Sequence, residues 1–191
     1  IGSDNSALGL DALYSNTTGS YNNTLGSWAL HANSTGSYNN TLGSWALSVN
    51  TTGSYNNALG YNAGFKSTGL GNIFIGHRAG DNLTSGDQNI IIGYDIDAPS
   101  ATGSNQLNIG NTIYGDLSNG NVGIGTTTPE STLHVPDGRY AQFEDNNPGA
   151  PLAADCDNDA ERGRLSIDTT NNRLYICNGA TRGWDYVDLI N

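Results

Sequence analysis

A chain of 191 residues with 36% apolar residues, 26 glycines and no methionine cannot fill a conventional globular core, so its core has to be thin, shared or repeated. Its 18 acidic against 7 basic residues give a net charge of -11, which argues against nucleic acid and anionic membrane surfaces as partners. No run of about 20 apolar residues and no charged-then-apolar leader occurs, so the expectation is a soluble, processed or trimmed chain with no membrane insertion.

From the first residues onward the chain repeats itself. The twelve letters GSYNNTLGSWAL stand at 19–30 and again at 36–47. A unit G-S-x-N-x-x-[Leu/Ile]-G ends at Gly9, Gly26, Gly43, Gly60, Gly76, Gly93, Gly110 and Gly125, at spacings of 17, 17, 17, 16, 17, 17 and 15. A short fixed period over that many units marks a solenoid. Seventeen residues broken by two glycines are too few for a helix pair, so each unit reads as one coil of short strands and turns. The expected fold is all-β: a parallel β-roll (β-solenoid) of about eight coils over residues 1–127.

Two apolar columns run down this stack. One is Leu8, Leu25, Leu42, Leu59, Ile75, Ile92, Ile109 and Ile124, the candidate oligomer or core ladder. The other is Ala12, Ala29, Ala46, Ala63, Ala79, Ile96 and Ile113, whose small residues suit the inside of a narrow coil. Steps such as Ala58-Leu59 and Phe74-Ile75 are apolar at neighbouring positions, which point to opposite faces of a sheet. One face is therefore expected inside the coil and the other against a partner chain, with several parallel chains around an axis.

The Asn-x-Ala-Leu-Gly and Asn-Ile-Phe-Ile-Gly steps resemble the heads of YadA-like trimeric autotransporter adhesins. That resemblance implies a left-handed β-roll associating as a homotrimer. The stretch Asn121–Val135, NVGIGTTTPESTLHV, is similar to the junction that closes such repeats in bacterial and phage tail-fibre-like proteins.

Beyond the repeat, residues 128–155 read as junction and connector, rich in proline, glycine, asparagine and alanine. Residues 156–191 read as a small C-terminal β module: Arg164–Asp168, a four-residue turn, Arg173–Cys177 and a last strand around Trp184–Val187. Cys156 and Cys177 are the only cysteines. The secreted look of the chain favours a Cys156–Cys177 disulfide, with free thiols as the alternative. The pattern also looks like small terminal modules of tail-fibre-like proteins, which carries over only the cysteine pair and Trp184. Its expected job is to cap the roll or dock on a neighbour.

Candidate sites are few. His31, His77 and His134 lie far apart, and no nucleophile elbow, Cys/His pair or phosphate loop occurs, so the chain is not expected to be an enzyme. Asp155, Asp157 and Asp159 alternate as in a calcium loop, but Ala160 and Ser166 replace the glycine and final glutamate such a loop uses, so calcium there competes with a solvated acidic turn. Asp95 and Asp97 are a weaker version. No other cofactor is expected. Tyr21, Tyr38 and Tyr55 recur at one period, as do Trp28 and Trp45, placing rings about 4.8 Å apart along the roll. They could contact a host or surface glycan or serve as ladder packing. Asn-x-Ser/Thr triplets start at Asn16, Asn22, Asn33, Asn39, Asn50 and Asn82, with Asn16, Asn33 and Asn50 the first choices for glycosylation, against a purely structural role in turns and ladders.

The reading is an extracellular or cell-surface (or virion-tail) fibrous protein, structural and adhesive, assembled as a homotrimer. The alternative is a subunit that polymerises head to tail into an extracellular filament, since the chain starts at a repeat edge. An ice-binding solenoid is a distant third, because the Thr/Ser steps last only three coils.

Overall fold

The structure, a computed structural model, describes residues 2–137, 165–168, 171, 173–178, 180 and 183–189. The chain divides into two compact units, 1–139 and 140–191. All regular structure among the described residues is β, and no helix is long and apolar enough to cross a membrane.

The first unit is a parallel β-solenoid of about six turns. Its rungs are β1 (Ser6–Leu8), β2 (Asn23–Leu25), β3 (Asn40–Leu42), β4 (Asn57–Leu59), β5 (Ile73–Ile75), β6 (Ile90–Ile92) and β7 (Gln106–Ile109). They pair in parallel with the register the repeat demands, Leu8 on Leu25 on Leu42 on Leu59 on Ile75 on Ile92 on Ile109. Between strands each coil turns through residues with positive φ. The closing glycines carry φ from 127° to 146° through Gly93, and a Cβ on Gly43 would also collide with the carbonyl oxygen of Gly60 one rung on. Glycine is required there by backbone conformation and by close stacking together.

The expected eight coils stop at β7. Gly110 and Asn111 have φ of 60° and 52°, and two successive residues in that region reverse the chain into a hairpin. Asn108 fixes the reversal: its side chain donates to Asn111 Oδ1 at 2.9 Å and accepts from the Asn111 backbone N–H at 3.0 Å. β8 (Ile113–Asp116) then runs antiparallel to both β7 and β9 (Asn121–Ile124), and β10 (Leu133–His134) lies parallel to β9. Ile113 and Ile124 therefore face each other in a hairpin pair and are not rungs of the two columns.

The core is narrow. Ala29, Ala46, Ala63 and Ala79 are fully buried and Ile96 nearly so, as expected for the small column. From β2 to β7 one strand residue per rung also points inward: Thr24, Thr41, Ala58, Phe74, Ile91 and Asn108 are all buried. Leu30 and Leu47 fill the lower coils. One rung on, that position is Gly64, then Gly80, and the space goes to Phe74, whose ring is gripped between them. A Cβ on Gly64 or Gly80 would come within 2.5 Å of Phe74 Cε2 or Cε1. Bulk is thus exchanged across the core, large for small, as close packing requires.

A second internal spine is polar. Asn22, Asn39, Asn56, Asn72 and Asn89 are fully buried. In each, the Oδ1 accepts from the backbone N–H of the residue one rung on, as Asn39 Oδ1 does from Asn56 N at 3.0 Å and Asn89 Oδ1 from Gln106 N at 2.8 Å. The Nδ2 donates to a glycine carbonyl, as Asn39 does to Gly53 at 2.9 Å. Gln106 ends the row. Its longer arm reaches back to Asn89 Oδ1 and Gly103 O, and its Oε1 accepts from Ser100 N at 2.6 Å.

The second unit contains an antiparallel sheet of β11 (Leu165–Asp168), β12 (Arg173–Cys177) and β13 (Trp184–Asp188), in the places the sequence indicates. Among the described residues of this unit, Tyr175 and Cys177 are buried. Arg173 packs 4.0 Å over the Tyr186 ring and donates to Asp188 at 2.9 Å, a cation–π contact and an ion pair in one side chain.

Candidate functional site

Alternation along a three-residue strand sends its middle side chain inward and the flanking two outward. In β2, β3 and β4 the outward residues are Asn and Leu; in β5, β6 and β7 they are Ile or Leu with Ile. The leucine column is therefore not part of the chain's own core. Leu8 is 71% exposed, Leu25, Leu42 and Leu59 are 46–47% exposed, and Ile75 is 39% exposed. Ile92 and Ile109 are half-buried.

Together these rows wall a groove of about 620 Å³ running across β1 to β5, from Ser6 and Leu8 to Ile75. None of its thirteen lining residues is charged. Its second wall is an outer amide ladder, in which Asn23 Nδ2 donates to Asn40 Oδ1 at 2.9 Å and Asn40 Nδ2 to Asn57 Oδ1 at 3.0 Å. Sequence reasoning found the leucines and the period of the inner row, Asn5, Asn22, Asn39, Asn56, Asn72, Asn89 and Gln106, but not its burial, and it missed the outer row. The signal was present, because Asn recurs at Asn22, Asn39 and Asn56 and at Asn23, Asn40 and Asn57 while neighbouring loops vary.

The aromatic columns form as the period implies. Tyr21 and Tyr38 stack at 4.9 Å, Tyr38 and Tyr55 at 5.0 Å, and Trp28 and Trp45 at 4.9 Å, with planes within 10° of parallel. All five sit at φ between 59° and 63°, a left-handed conformation that costs a bulky residue about 1–2 kcal/mol. Tyr38 has a ring on each side, so its edge faces outward. The next rung after Tyr55 carries Gly71, which leaves Tyr55 with a ring neighbour on one side only. His31 and His77 also join stacks, His31 with Tyr14 and Trp28, and His77 between Tyr61 and Tyr94. They are ladder members and do not converge.

The expected glycosylation sites need correction. Asn33 and Asn50 are fully buried. Asn33 Nδ2 donates to Gly36 O and Asn16 Oδ1, and Asn50 Nδ2 to Gly53 O, each at 2.9 Å. Asn16 Nδ2 donates to Gly19 O at 2.9 Å. The nitrogen that would carry a glycan is committed inside the turn.

Acidic groups gather around one cation. Arg78 binds Asp81 at 2.7 Å and Asp95 at 2.9 Å. Asp97 has its pKa raised by desolvation first, then by the charges of Asp81 and Asp95. With Arg78 in their midst, Asp95 and Asp97 belong to an ion-pair cluster, and no group of three or more metal-ligating residues occurs among the described residues. Asp155, Asp157, Asp159 and Cys156 lie outside the described residues. Cys177 is fully buried in β12.

No protein-family model matches the chain, and neither a curated protein nor a solved structure matches it.

Proposed function

We propose that the protein is an extracellular, non-enzymatic fibre component, the shaft or head of a surface or tail fibre, in which three copies associate through the uncharged strand face. The observation that carries this reading is the exposed Leu8-to-Ile75 column and its groove. No charge interrupts this face, and it carries a continuous exposed apolar row from Leu8 to Ile75, the mark of an interaction surface. Rigidity would be the mechanism: stacked coils satisfy their own backbone, and repeated surface rows add weak contacts by avidity.

The test is sedimentation of the purified chain. A species of three times the 20.0 kDa chain mass supports the reading, and Leu25→Asp with Leu42→Asp should return a folded monomer, because a seam cannot bury unpaired carboxylates. A wild-type monomer at all concentrations refutes it. The second reading, end-to-end stacking into a filament, is favoured by β1, which pairs with β2 alone and presents its other edge for a further strand; particles lengthening with concentration under the electron microscope would select it. The adhesive part rests on the Tyr21, Tyr38, Tyr55, Trp28 and Trp45 columns as a glycan contact. A glycan array on which Trp28→Ala with Trp45→Ala binds as well as wild type removes it.

In the second unit a Cys156–Cys177 disulfide would add about 3 kcal/mol by restricting the unfolded chain. The mass of the unreduced, alkylated protein tests it.

A further inference from the structure

The uncharged face changes chemistry once along its length. In β2, β3 and β4 the first outward residue is Asn23, Asn40 or Asn57; in β5, β6 and β7 it is Ile73, Ile90 or Leu107, in unbroken register. Each bond in the Asn23-to-Asn57 ladder uses one amide hydrogen of the donor and one lone pair of the acceptor. A primary amide has two of each, so hydrogen-bonding capacity is left over.

Resting on the proposal that copies of the chain meet on this face, we infer that this single change from amide to hydrocarbon sets the polarity and register of their contact: parallel and rung-matched. In that arrangement amide rows lie against amide rows, where the spare donors and acceptors can be met, and isoleucine rows lie against isoleucine rows. An antiparallel contact lays Asn23, Asn40 and Asn57 on hydrocarbon and strands their spare hydrogens out of water. A parallel contact slipped by one rung sets Asn57 on Ile73, and each further rung adds another mismatch. A uniform seam would have no such preference. β2 and β3 are identical, β4 differs from them only at its inward residue, and repetitive strand surfaces are prone to slip. Ile73, Ile90 and Leu107 are then the specificity-determining positions, and the amide-to-isoleucine boundary is the register mark.

Two separately tagged chains, one carrying Leu25→Cys and the other Leu42→Cys, test this when mixed, unfolded and refolded together, and oxidised. A chain with neither substitution controls for the native cysteines. In the otherwise wild-type sequence, same-site disulfides should exceed the mixed-site disulfide by about tenfold or more, the preference expected of one stranded amide per slipped rung. Erasing the boundary with Asn23→Ile, Asn40→Ile and Asn57→Ile should bring the mixed-site product to parity. The reciprocal Ile73→Asn with Ile90→Asn should do the same, so the test stands if either set fails to fold by circular dichroism. A mixed-site product as frequent in the wild-type sequence as in the erased one, or same-site products alone after erasure, overturns the inference and leaves association intact. A monomer with no interchain product overturns both.

Discussion

Replacing Gly80 with alanine probes the exchange of bulk across the core directly. The added Cβ would sit within 2.5 Å of Phe74 Cε1, an overpacking conflict worth about 1–3 kcal/mol. Gly80 also has φ of 65°, which charges a Cβ-bearing residue a further ~1–2 kcal/mol. The expected loss for Gly80→Ala is therefore about 2–5 kcal/mol. Phe74→Ala alone empties a fully buried site and should lose about 3–5 kcal/mol. The double variant is decisive. With the ring gone the alanine methyl has room, only the backbone strain remains, and the new methyl refills part of the cavity. The pair should therefore be less destabilised than the sum of the singles by about 1–3 kcal/mol, a coupling well above the scatter for independent sites. Urea unfolding of all four proteins at one protein concentration measures it, with tryptophan fluorescence as the probe of the coils around Trp28 and Trp45. Additive losses would refute the claim that Gly64 and Gly80 are glycine because Phe74 needs the space.

Asn39→Ala should cost about 2–6 kcal/mol, since it strands the Asn56 backbone N–H and the Gly53 carbonyl inside the coil at about 1–3 kcal/mol each. Hydrogen exchange should speed up at the Asn56 amide, and a loss below about 1 kcal/mol would show that the ladder is not structural. Asp97→Asn should raise the melting temperature near neutral pH. Desolvation, then Asp81 and Asp95, raise the Asp97 pKa, so the folded state binds that proton more tightly than the unfolded state does, and the ionised form costs stability above the carboxylate range. The gain should be small because Asp97 is solvent-screened, and it should vanish near pH 3, where the carboxyl is protonated in both states. An equal gain at both pH values would mean another cause.

The period and the parallel register were legible because identical twelve-residue blocks leave one alignment. The small column from Ala29 to Ile96 was legible for a related reason, since alanine repeated at a fixed step has few uses outside a tight coil. The final spacing of 15 was read as an eighth coil, because Gly110 reads like every other closing glycine until its φ of 60° is seen beside that of Asn111. Which face of the strand looked inward was harder. In Asn-Thr-Leu the hydrophobic residue points out and threonine in, against the ordinary preference, because the coil interior is too narrow for a leucine at both Leu30 and the strand. Buried Asn22, Asn39 and Asn56 resembled turn residues, since single-residue polarity says nothing of whether a glycine carbonyl waits above. Sequons at Asn33 and Asn50 misled for the same reason.

Gln106 has a consequence for how such a molecule can vary over generations. It closes the asparagine spine by reaching Ser100 and Gly103 within its own turn, so the terminator does not depend on how many rungs precede it. The identical blocks 19–30 and 36–47 mark whole coils as the unit in which such a chain can lengthen or shorten. Gain or loss of a whole 17-residue module would change the length by one strand spacing, about 4.8 Å, and leave the stop untouched, so the length of the roll is a trait that evolution can count in integers.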